Sequence, residues 1–333
     1  MIVYFSIKVE IMSFSLKKRF IPSANHLLLQ AQHKLKTCLP LGQPVLAMVE
    51  LCNVCNLQCK LCPSGNNQLD RPVGMMKESV FQDIIDQLDD TYTRHLIPVM
   101  WGESMLHPKF IELMNYARKK SWKISVPTNG NISGDDQYFD DLVATGIDEI
   151  VCAIDGHNQD IYEQYRSGGS LEKVHNFLIN ISRAKERAST KKPHVVAQVL
   201  LFKGTERHLQ DIEKNIGSSV DEIRTKLARM FFTDEDKKND LVSVQEKLRP
   251  ENEENRFPSE GRPICPAMLY YVNINWEGEV IACCKDPKNH LRFGKVQKGS
   301  IAEIRKSKKF RETKQKLLRG DYEYEVCKKC YLV

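Results

Sequence analysis

The sequence predicts an α/β protein in which a mostly parallel sheet is covered by helices, followed by a smaller unit made of a β-hairpin and a helix. Short apolar runs alternate with amphipathic stretches from residue 44 to about 230. This alternation is typical of repeated βα units, whose strands lie side by side in parallel. Periodicity alone does not decide whether six such units close partly into a barrel or spread into a doubly wound sheet.

The predicted strands are apolar runs of the length expected for buried strands. They cover residues 44–51, 96–101, 123–127, 148–154, 194–202 and 220–232. The segments between them carry apolar residues at helical spacing. They are predicted helices at 78–92, 107–120, 136–146, 170–188 and 206–217. Pro108 suits the first turn of one helix, and Gly146 is a typical stop signal for another.

A change of composition marks the end of this pattern. Residues 233–262 are charged and poor in apolar side chains, so we interpret them as a linker or an exposed insertion. Residues 265–284 are predicted to form a hairpin that turns at Glu277-Gly278, and a basic helix is predicted at 300–320. The predicted organisation is an N-terminal extension (1–44), a core (45–232), the linker (233–262) and a C-terminal domain (263–333).

The composition is that of an ordinary globular protein, with 41% hydrophobic and 28% charged residues. The net charge of +6 is too small to indicate nucleic-acid binding, and it is compatible with an acidic electron-donor protein as partner. No run approaches the roughly 18 uninterrupted apolar residues of a membrane helix. Lys8 and Glu10 interrupt the apolar N-terminus, so we interpret it as an extension rather than a signal peptide, with Met12 as an alternative start to Met1.

Eleven cysteines without a recognisable secretion signal indicate the reducing cytoplasm, where clustered cysteines bind metal more often than they form disulfides. The run ELCNVCNLQCKLCPSG at 50–65 holds Cys52, Cys55, Cys59 and Cys62. Only three residues separate Cys55 from Cys59, so two CxxC pairs would close on one zinc ion only with strain. The spacing also differs from that of bacterial ferredoxins. The run does contain one CxxxCxxC triplet, formed by Cys55, Cys59 and Cys62.

This run resembles the signature loop of the radical S-adenosylmethionine (radical SAM) enzymes, E-L-T-x-x-C-N-L-x-C-x-x-C-P, with Cys52 in the place of a common threonine. The resemblance implies a partial (β/α)6 barrel, similar to a TIM barrel. It also implies that the triplet holds a [4Fe–4S] cluster with one open iron, which chelates the amino and carboxylate groups of S-adenosylmethionine. The cofactor carries the radical chemistry, and the protein orients it.

Two further segments resemble family motifs that lie near the cofactor. The segment VMWGESMLHP at 99–108 is similar to the G-G-E-P stretch, although tryptophan and serine replace the first glycine and the proline. The segment VPTNG at 126–130 is similar to a T-N-G stretch near the ribose. Taken singly, each is also what a plain turn after a strand looks like. The resemblance implies cofactor contacts for Gly102, Glu103, Thr128 and Asn129.

A third segment, AIDGHNQDIYEQYRSGGS at 153–170, resembles the S-x-D-G…Y-E-x-x-R stretch of relatives. Asp155 and Arg166 match that pattern, while Ala153 replaces its serine. The resemblance implies that Arg166 lies near the cofactor carboxylate, a pairing that guanidinium geometry favours. Without the resemblance, it would be interpreted as a surface arginine on a helix.

A second set of cysteines, Cys265, Cys283, Cys284, Cys327 and Cys330, lies in the C-terminal domain. With the intervening EGEVIAC and the closing CKKC, it resembles the auxiliary-cluster domains called SPASM and twitch. The resemblance implies a second [4Fe–4S] cluster with four protein ligands, Cys265, Cys283, Cys327 and Cys330, in the shorter single-cluster form. Spacing alone also suits a zinc ribbon.

Three cysteines near these motifs fall outside both ligand sets. Cys52, Cys152 and Cys284 are each expected to behave as small buried hydrophobes. Cys284 has a second interpretation, because a thiol close to both clusters would be placed to return a hydrogen atom to a substrate radical, as an epimerase requires.

The resemblance covers residues 45–333 and implies an enzyme that reductively cleaves S-adenosylmethionine. Our leading hypothesis is oxidation or epimerisation at a carbinol carbon of a small molecule, either sugar-like or an aminocyclitol. The alternatives are a radical SAM maturase of peptides or proteins and a non-enzymatic, zinc-stabilised binding protein. The expected partners are the small-molecule substrate and an electron donor of the flavodoxin or ferredoxin type, with no nucleic acid and no membrane span.

Overall fold

The computed structural model describes residues 24–39, 42–88, 92–202, 205, 207–227, 265 and 267–328. The predicted linker at 233–262, the start of the N-terminal extension and Cys330 lie outside these residues. Among the described helices, none has the length and apolar character needed to span a bilayer.

Six parallel strands form the first part of the sheet. They are β1 (Leu46–Val49), β2 (His95–Ile97), β3 (Lys123–Thr128), β4 (Glu149–Ala153), β5 (His194–Leu201) and β6 (Glu222–Leu227). Each strand pairs with the next in sequence, which gives the order β6-β5-β4-β3-β2-β1. Most of their residues are buried, as expected of a parallel sheet covered on its faces. The six predicted strands are therefore confirmed.

Helices cover this part of the sheet. They are α1 (Ala24–Lys34), α2 (Glu78–Gln87), α3 (Phe110–Ala117), α4 (Asp136–Ala144), α5 (Gln159–Tyr165), α6 (Leu171–Arg187) and α7 (Leu209–Ile216). The five predicted helices correspond to α2, α3, α4, α6 and α7. Sequence periodicity missed α5, because a seven-residue helix offers only Tyr162 and Tyr165 as buried positions. Its N-terminus is capped by Asn158, whose side chain accepts a hydrogen bond from the Ile161 amide at 2.9 Å.

The C-terminal part continues the same sheet. It consists of α8 (Ala267–Tyr270), β7 (Tyr271–Ile274), β8 (Glu279–Ile281), β9 (Arg292–Lys295), α9 (Ile301–Lys306), α10 (Lys308–Arg319) and α11 (Glu325–Lys328). Strand β7 pairs in parallel with β1, from Leu46 opposite Tyr271 to Val49 opposite Ile274. The predicted hairpin is confirmed as β7 and β8, with Gly278 in its turn at φ +77°. The result is an open sheet of nine strands among the described residues.

The basic helix predicted at 300–320 is two helices, so the prediction of one continuous helix was wrong. The break falls at Ser307, whose backbone is extended with ψ 151°. Its hydroxyl accepts a hydrogen bond from the Phe310 amide at 3.3 Å and so caps α10. Serine side chains compete with helical hydrogen bonding in this way, which favours serine at caps over helix interiors.

A buried ion pair joins the end of β1 to the C-terminal hairpin. Glu50 is fully buried, and both of its carboxylate oxygens accept hydrogen bonds from Arg71, at 2.6 and 2.9 Å. Arg71 also donates from Nε to the Pro287 carbonyl at 2.7 Å, and the Trp276 amide donates to Glu50 at 3.2 Å. The bidentate pair therefore contacts both parts of the chain at once.

We expect Arg71→Ala to destabilise the protein by about 3–5 kcal/mol, because it leaves the Glu50 charge buried without its partner. The matched control is Lys288→Ala, which removes an exposed ion pair to Asp70 (3.0 Å) between the same two segments. That variant is expected to lose less than about 1 kcal/mol. Urea denaturation of anaerobically prepared protein measures both. Equal losses in the two variants would contradict this account of the buried pair.

Candidate active site

The loop after β1 carries Cys55, Cys59 and Cys62 at the carboxyl edge of the sheet. Neighbouring backbone holds this loop in place, since the Gln58 amide donates to the Ser167 carbonyl at 2.9 Å. At Gly65 the loop folds back on itself so closely that a Cβ there would lie 2.5 Å from the Cys59 nitrogen. The three thiols are thus presented by a fixed backbone rather than by a free loop.

The three thiols of this loop form no disulfide and are mostly shielded from solvent. Cys59 and Cys62 are buried, and Cys55 is partly exposed. Burial raises the pKa of the Cys55 thiol to about 11, with Glu103 adding to the shift. Because metal ligation requires thiolates, cluster assembly on this loop has to release protons.

Arg166 lies against this loop and is fully buried. Its Nε donates to Asp155 at 2.6 Å, and its Nη1 lies 3.7 Å from the Cys59 sulfur. Asp155 in turn accepts from the Leu200 amide at 2.7 Å. Burial works to lower the pKa of Arg166, but attraction to Asp155 and then to Cys59 raises it well above its ordinary value. A fixed positive charge therefore faces one thiol of the triplet.

Gly102 and Glu103 lie directly beside the cysteine loop. Gly102 has φ +85°, and a Cβ there would lie 2.6 Å from the Val54 carbonyl oxygen, so only glycine fits this approach. The Glu103 carboxylate accepts from the Asn129 amide at 2.6 Å. Burial raises its pKa, while hydrogen bonds from Asn129, Met105 and the Thr128 side chain oppose the shift.

Cys52 occupies the place of the motif's threonine and makes a hydroxyl-like contact. Its sulfur lies 3.1 Å from the Glu103 carbonyl oxygen, to which the thiol donates. The side chain is fully buried. Cys52 thus ties the cysteine loop to the Gly102–Glu103 segment. The expectation that it is merely a small hydrophobe missed this contact.

Side-chain amides connect the cysteine loop to the end of β3. Asn129 donates to the Asn56 side chain at 2.8 Å, and the same nitrogen lies 3.8 Å from the Cys55 sulfur. Asn56 donates to the Asn131 carbonyl at 2.8 Å, and Asn131 donates to the Tyr162 hydroxyl at 2.7 Å. Asn56 and Asn131 were not among the predicted site residues, although Asn56 lies within the cysteine run and Asn131 directly follows the VPTNG segment.

Most of the predicted core-site residues converge on one pocket at the carboxyl edge of β1 to β4. Asp155 lies behind Arg166 and does not line it, and neither does Cys62. Sequence reasoning missed three apolar lining residues, which carry no motif signal. The lining residues are Cys55, Leu57, Cys59, Val99, Gly102, Glu103, Pro127, Thr128, Asn129 and Arg166.

Three cysteines of the second set lie near Tyr271, the first residue of β7. Burial raises the pKa of Tyr271 strongly, and the neighbouring thiols of Cys284, Cys265 and Cys283 add to the shift. A hydrogen bond with Cys284 is the largest cause that raises the pKa of Cys283, ahead of burial. Cys284 is buried and does not line the pocket described above. Its role as a hydrogen donor stays a prediction.

The donors of both sets fit iron–sulfur clusters, which thiolates hold. The first set offers three cysteines on one loop, and the described part of the second offers Cys265, Cys283 and Cys327. No three of the described His, Cys, Asp and Glu side chains lie close enough together to hold a single metal ion. The fit therefore rests on the chemistry of the thiols and not on the distances between them.

Family comparisons agree with this arrangement. The family model of the radical SAM superfamily matches residues 49–214, and the model of an iron–sulfur cluster-binding domain, SPASM, matches residues 265–331. The chain is a radical SAM enzyme. It belongs to the branch of that superfamily with a C-terminal SPASM domain, and its cofactors are [4Fe–4S] clusters and S-adenosylmethionine.

Three relatives indicate how far the likeness extends. The tungsten-containing aldehyde ferredoxin oxidoreductase cofactor-modifying protein of Pyrococcus furiosus is 22% identical, over 85% of this chain and 86% of that protein. The structure of Streptococcus suis SuiB bound to precursor peptide SuiA has a TM-score of 0.61 and 12% identity, covering 92% of this chain and 76% of that one. The structure of BtrN in complex with AdoMet and 2-DOIA has a TM-score of 0.53 and 16% identity, covering 86% of this chain and 92% of that one.

We expect Cys52→Thr to preserve the stability of the protein and Cys52→Val to lose about 1 kcal/mol. Threonine retains a donor for the Glu103 carbonyl, whereas valine has the same shape without one. Urea denaturation and iron content, measured side by side on the two variants, test this expectation. If valine is tolerated as well as threonine, Cys52 is a small hydrophobe after all.

Proposed function

We propose that this enzyme oxidises a carbinol carbon of a sugar-like or aminocyclitol substrate to a ketone. The observation that carries its first step, the cleavage of S-adenosylmethionine, is the pocket in which Cys55, Cys59, Glu103, Asn129 and Arg166 meet. When bound, the reduced cluster and S-adenosylmethionine supply a 5′-deoxyadenosyl radical that abstracts a hydrogen atom. The residues of the chain bind these groups, orient them and exclude water.

The proposed roles follow the contacts around the pocket. Cys55, Cys59 and Cys62 ligate the cluster. The Gly102–Glu103 segment borders the amino group of S-adenosylmethionine, and Thr128 and Asn129 border its ribose. Arg166 is fixed by Asp155, faces Cys59 and lines the pocket, where it is proposed to pair with the carboxylate of S-adenosylmethionine.

Oxidation of the carbinol requires more than hydrogen abstraction. Loss of one hydrogen atom leaves a substrate radical, and the ketone forms only when that radical also gives up one proton and one electron. The electron needs an acceptor near the substrate. Cys265, Cys283, Cys327 and Cys330 are proposed to hold that acceptor, a second [4Fe–4S] cluster. The pairing of β7 with β1 supports this, because it attaches the second cysteine set directly to the strand that leads to the first.

The likeness to BtrN supports a small-molecule substrate, because the match spans nearly all of that chain and its structure holds 2-DOIA. Peptide modification is the second candidate, favoured by the likeness to SuiB, whose structure holds a precursor peptide. Epimerisation would require Cys284 to return a hydrogen atom. A zinc-stabilised binding protein is not retained, since both family models describe iron–sulfur chemistry.

An electron donor of the flavodoxin or ferredoxin type is proposed to reduce the enzyme. Each cleavage of S-adenosylmethionine consumes one electron, and the described residues provide no dinucleotide-binding motif that would supply it from a nicotinamide. The reducing cytoplasm that the cysteine content predicts is the proposed location.

The triple variant Cys55→Ala, Cys59→Ala, Cys62→Ala is expected to lose S-adenosylmethionine cleavage and half of its iron. Anaerobically purified wild-type protein should contain about eight irons, and the variant about four, since the second cysteine set is untouched. Iron analysis and 5′-deoxyadenosine formation with dithionite measure the two effects. Cleavage that survives in the variant would contradict the ligand assignment.

Product masses separate the candidate reactions. Dehydrogenation of a panel of aminocyclitols and sugars should give a product lighter by two hydrogens, with one 5′-deoxyadenosine formed per product. Epimerisation in deuterated water would instead leave the product one mass unit heavier, by one incorporated deuterium, and would stop in Cys284→Ala. A panel without any turnover, together with turnover of a peptide, would contradict the small-molecule assignment.

A further inference from the structure

The positive charge of this protein is concentrated in its C-terminal domain. Residues 265–333 contain fifteen Lys and Arg against eight Asp and Glu, whereas the rest of the chain is nearly neutral. Within this domain the charge is densest on α10. The solvent-facing side of α10, here called the basic face, carries five cations and one acid. Its members are Lys308, Lys309, Arg311, Glu312, Lys316 and Arg319.

The opposite side of α10 fixes this orientation. Phe310, Thr313, Leu317 and Leu318 are buried, and Phe310 packs edge-on against Phe293 with ring centroids 4.9 Å apart. The basic face is therefore held outward by the hydrophobic core of the domain. It is not an arbitrary orientation of a mobile helix.

At the N-terminal end of α10, the charges of the basic face do not serve the stability of the helix. The first turn of α10 contains Lys308 and Lys309 and no acidic residue, although the helix dipole favours acidic side chains at that end. Within the described part of the chain, the basic face makes only two ion pairs, Lys308 with Glu312 and Lys316 with Glu323.

A buried lysine next to this face feels the repulsion of a neighbouring cation. Lys314 is only 3% exposed, and burial lowers its pKa to about 7, with repulsion from Arg305 adding to the shift. By contrast, α6 offsets its cations across the surface, where Lys185 pairs with Asp221 and Arg187 with Asp140. The positive potential around α10 is thus largely uncompensated among the described residues.

The basic face leads directly to a predicted cluster ligand. The helix ends at Gly320 in the left-handed conformation, and the chain then runs to α11, which contains Cys327. Lys316 is bonded to Glu323 at 2.5 Å, and the Cys327 amide donates to the Tyr324 carbonyl at 2.8 Å. A protein bound to this face would lie beside the segment that carries Cys327, a predicted ligand of the second cluster.

We propose that the basic face of α10 is the docking surface for an acidic electron-carrier protein. This rests on the proposed function, since the enzyme must receive one electron from a reduced partner, which loses one, before it cleaves S-adenosylmethionine. The electron that the substrate radical later gives to the second cluster must in turn pass back to the first cluster or leave to the oxidised form of that partner. Complementary charge accelerates such encounters, and salt screens the effect. Nucleic acid is less suited to this face, because the functional site requires a redox partner and the chain as a whole is only mildly basic.

The test compares two doubly reversed variants of the holoenzyme. Lys309→Glu with Arg311→Glu alters the basic face at the end of α10 where acidic residues favour the helix. Lys173→Glu with Arg183→Glu reverses two exposed cations on α6 and changes the net charge equally. Stopped-flow absorbance follows cluster reduction by an acidic, reduced flavodoxin, without S-adenosylmethionine or substrate.

At low salt, the α10 variant should be reduced at least about tenfold more slowly than wild type, and the α6 variant within about twofold of it. The difference should largely disappear near 0.5 M salt, where screening is strong. An unchanged rate in the α10 variant would overturn the proposal, and so would equal losses in both. Loss of nucleic-acid binding in the α10 variant with an unchanged flavodoxin rate would also overturn it.

A separate measurement distinguishes failure of the docking proposal from failure of the proposed function. Cleavage of S-adenosylmethionine driven by excess dithionite does not need a carrier protein, so both variants should retain the wild-type amount. If wild type shows no cleavage with dithionite, the proposed function fails. The flavodoxin reduction rates still decide the docking surface in that case.

Discussion

The parallel pairing of β1 with β2 on one side and with β7 on the other determines where the functional side chains of this protein lie. The carboxyl end of β1 leads into the cysteine loop, and β2 leads toward Gly102 and Glu103. Strand β7 begins with Tyr271, and the thiols of Cys265, Cys283 and Cys284 lie near it. Because β1 pairs with both β2 and β7, the segments that carry the two cysteine sets are attached to one continuous sheet.

Local patterns in the sequence predicted much of this arrangement. The six parallel strands and their main helices follow from apolar periodicity, which depends on residues a few positions apart. The spacing of Cys55, Cys59 and Cys62, together with three further motifs, predicted a set of residues most of which meet in one pocket. A partial barrel followed from the family resemblance, since periodicity alone left an alternative open.

The remaining features depend on contacts between distant segments, which no local pattern encodes. Pairing of Leu46 with Tyr271 joins residues far apart in sequence, and so does the contact of Arg71 with Pro287. Cys52 was expected to be a small buried hydrophobe. Its hydrogen bond could not be predicted, because the acceptor, the Glu103 carbonyl, comes within 3.1 Å of the sulfur only in the folded chain. The break at Ser307 was missed because the amphipathic periodicity continues across it. The interruption depends on one residue, Ser307, whose hydroxyl caps the N-terminus of α10.

The central claim is that one cysteine set holds a cluster with an open iron and the other holds a fully ligated cluster. Electron paramagnetic resonance of the anaerobically reduced protein, recorded with and without S-adenosylmethionine, tests it most directly. The account predicts signals from two reduced [4Fe–4S] clusters, of which one changes on addition of S-adenosylmethionine and the other does not. Two signals that both ignore S-adenosylmethionine, or a colourless protein that contains zinc, would contradict it.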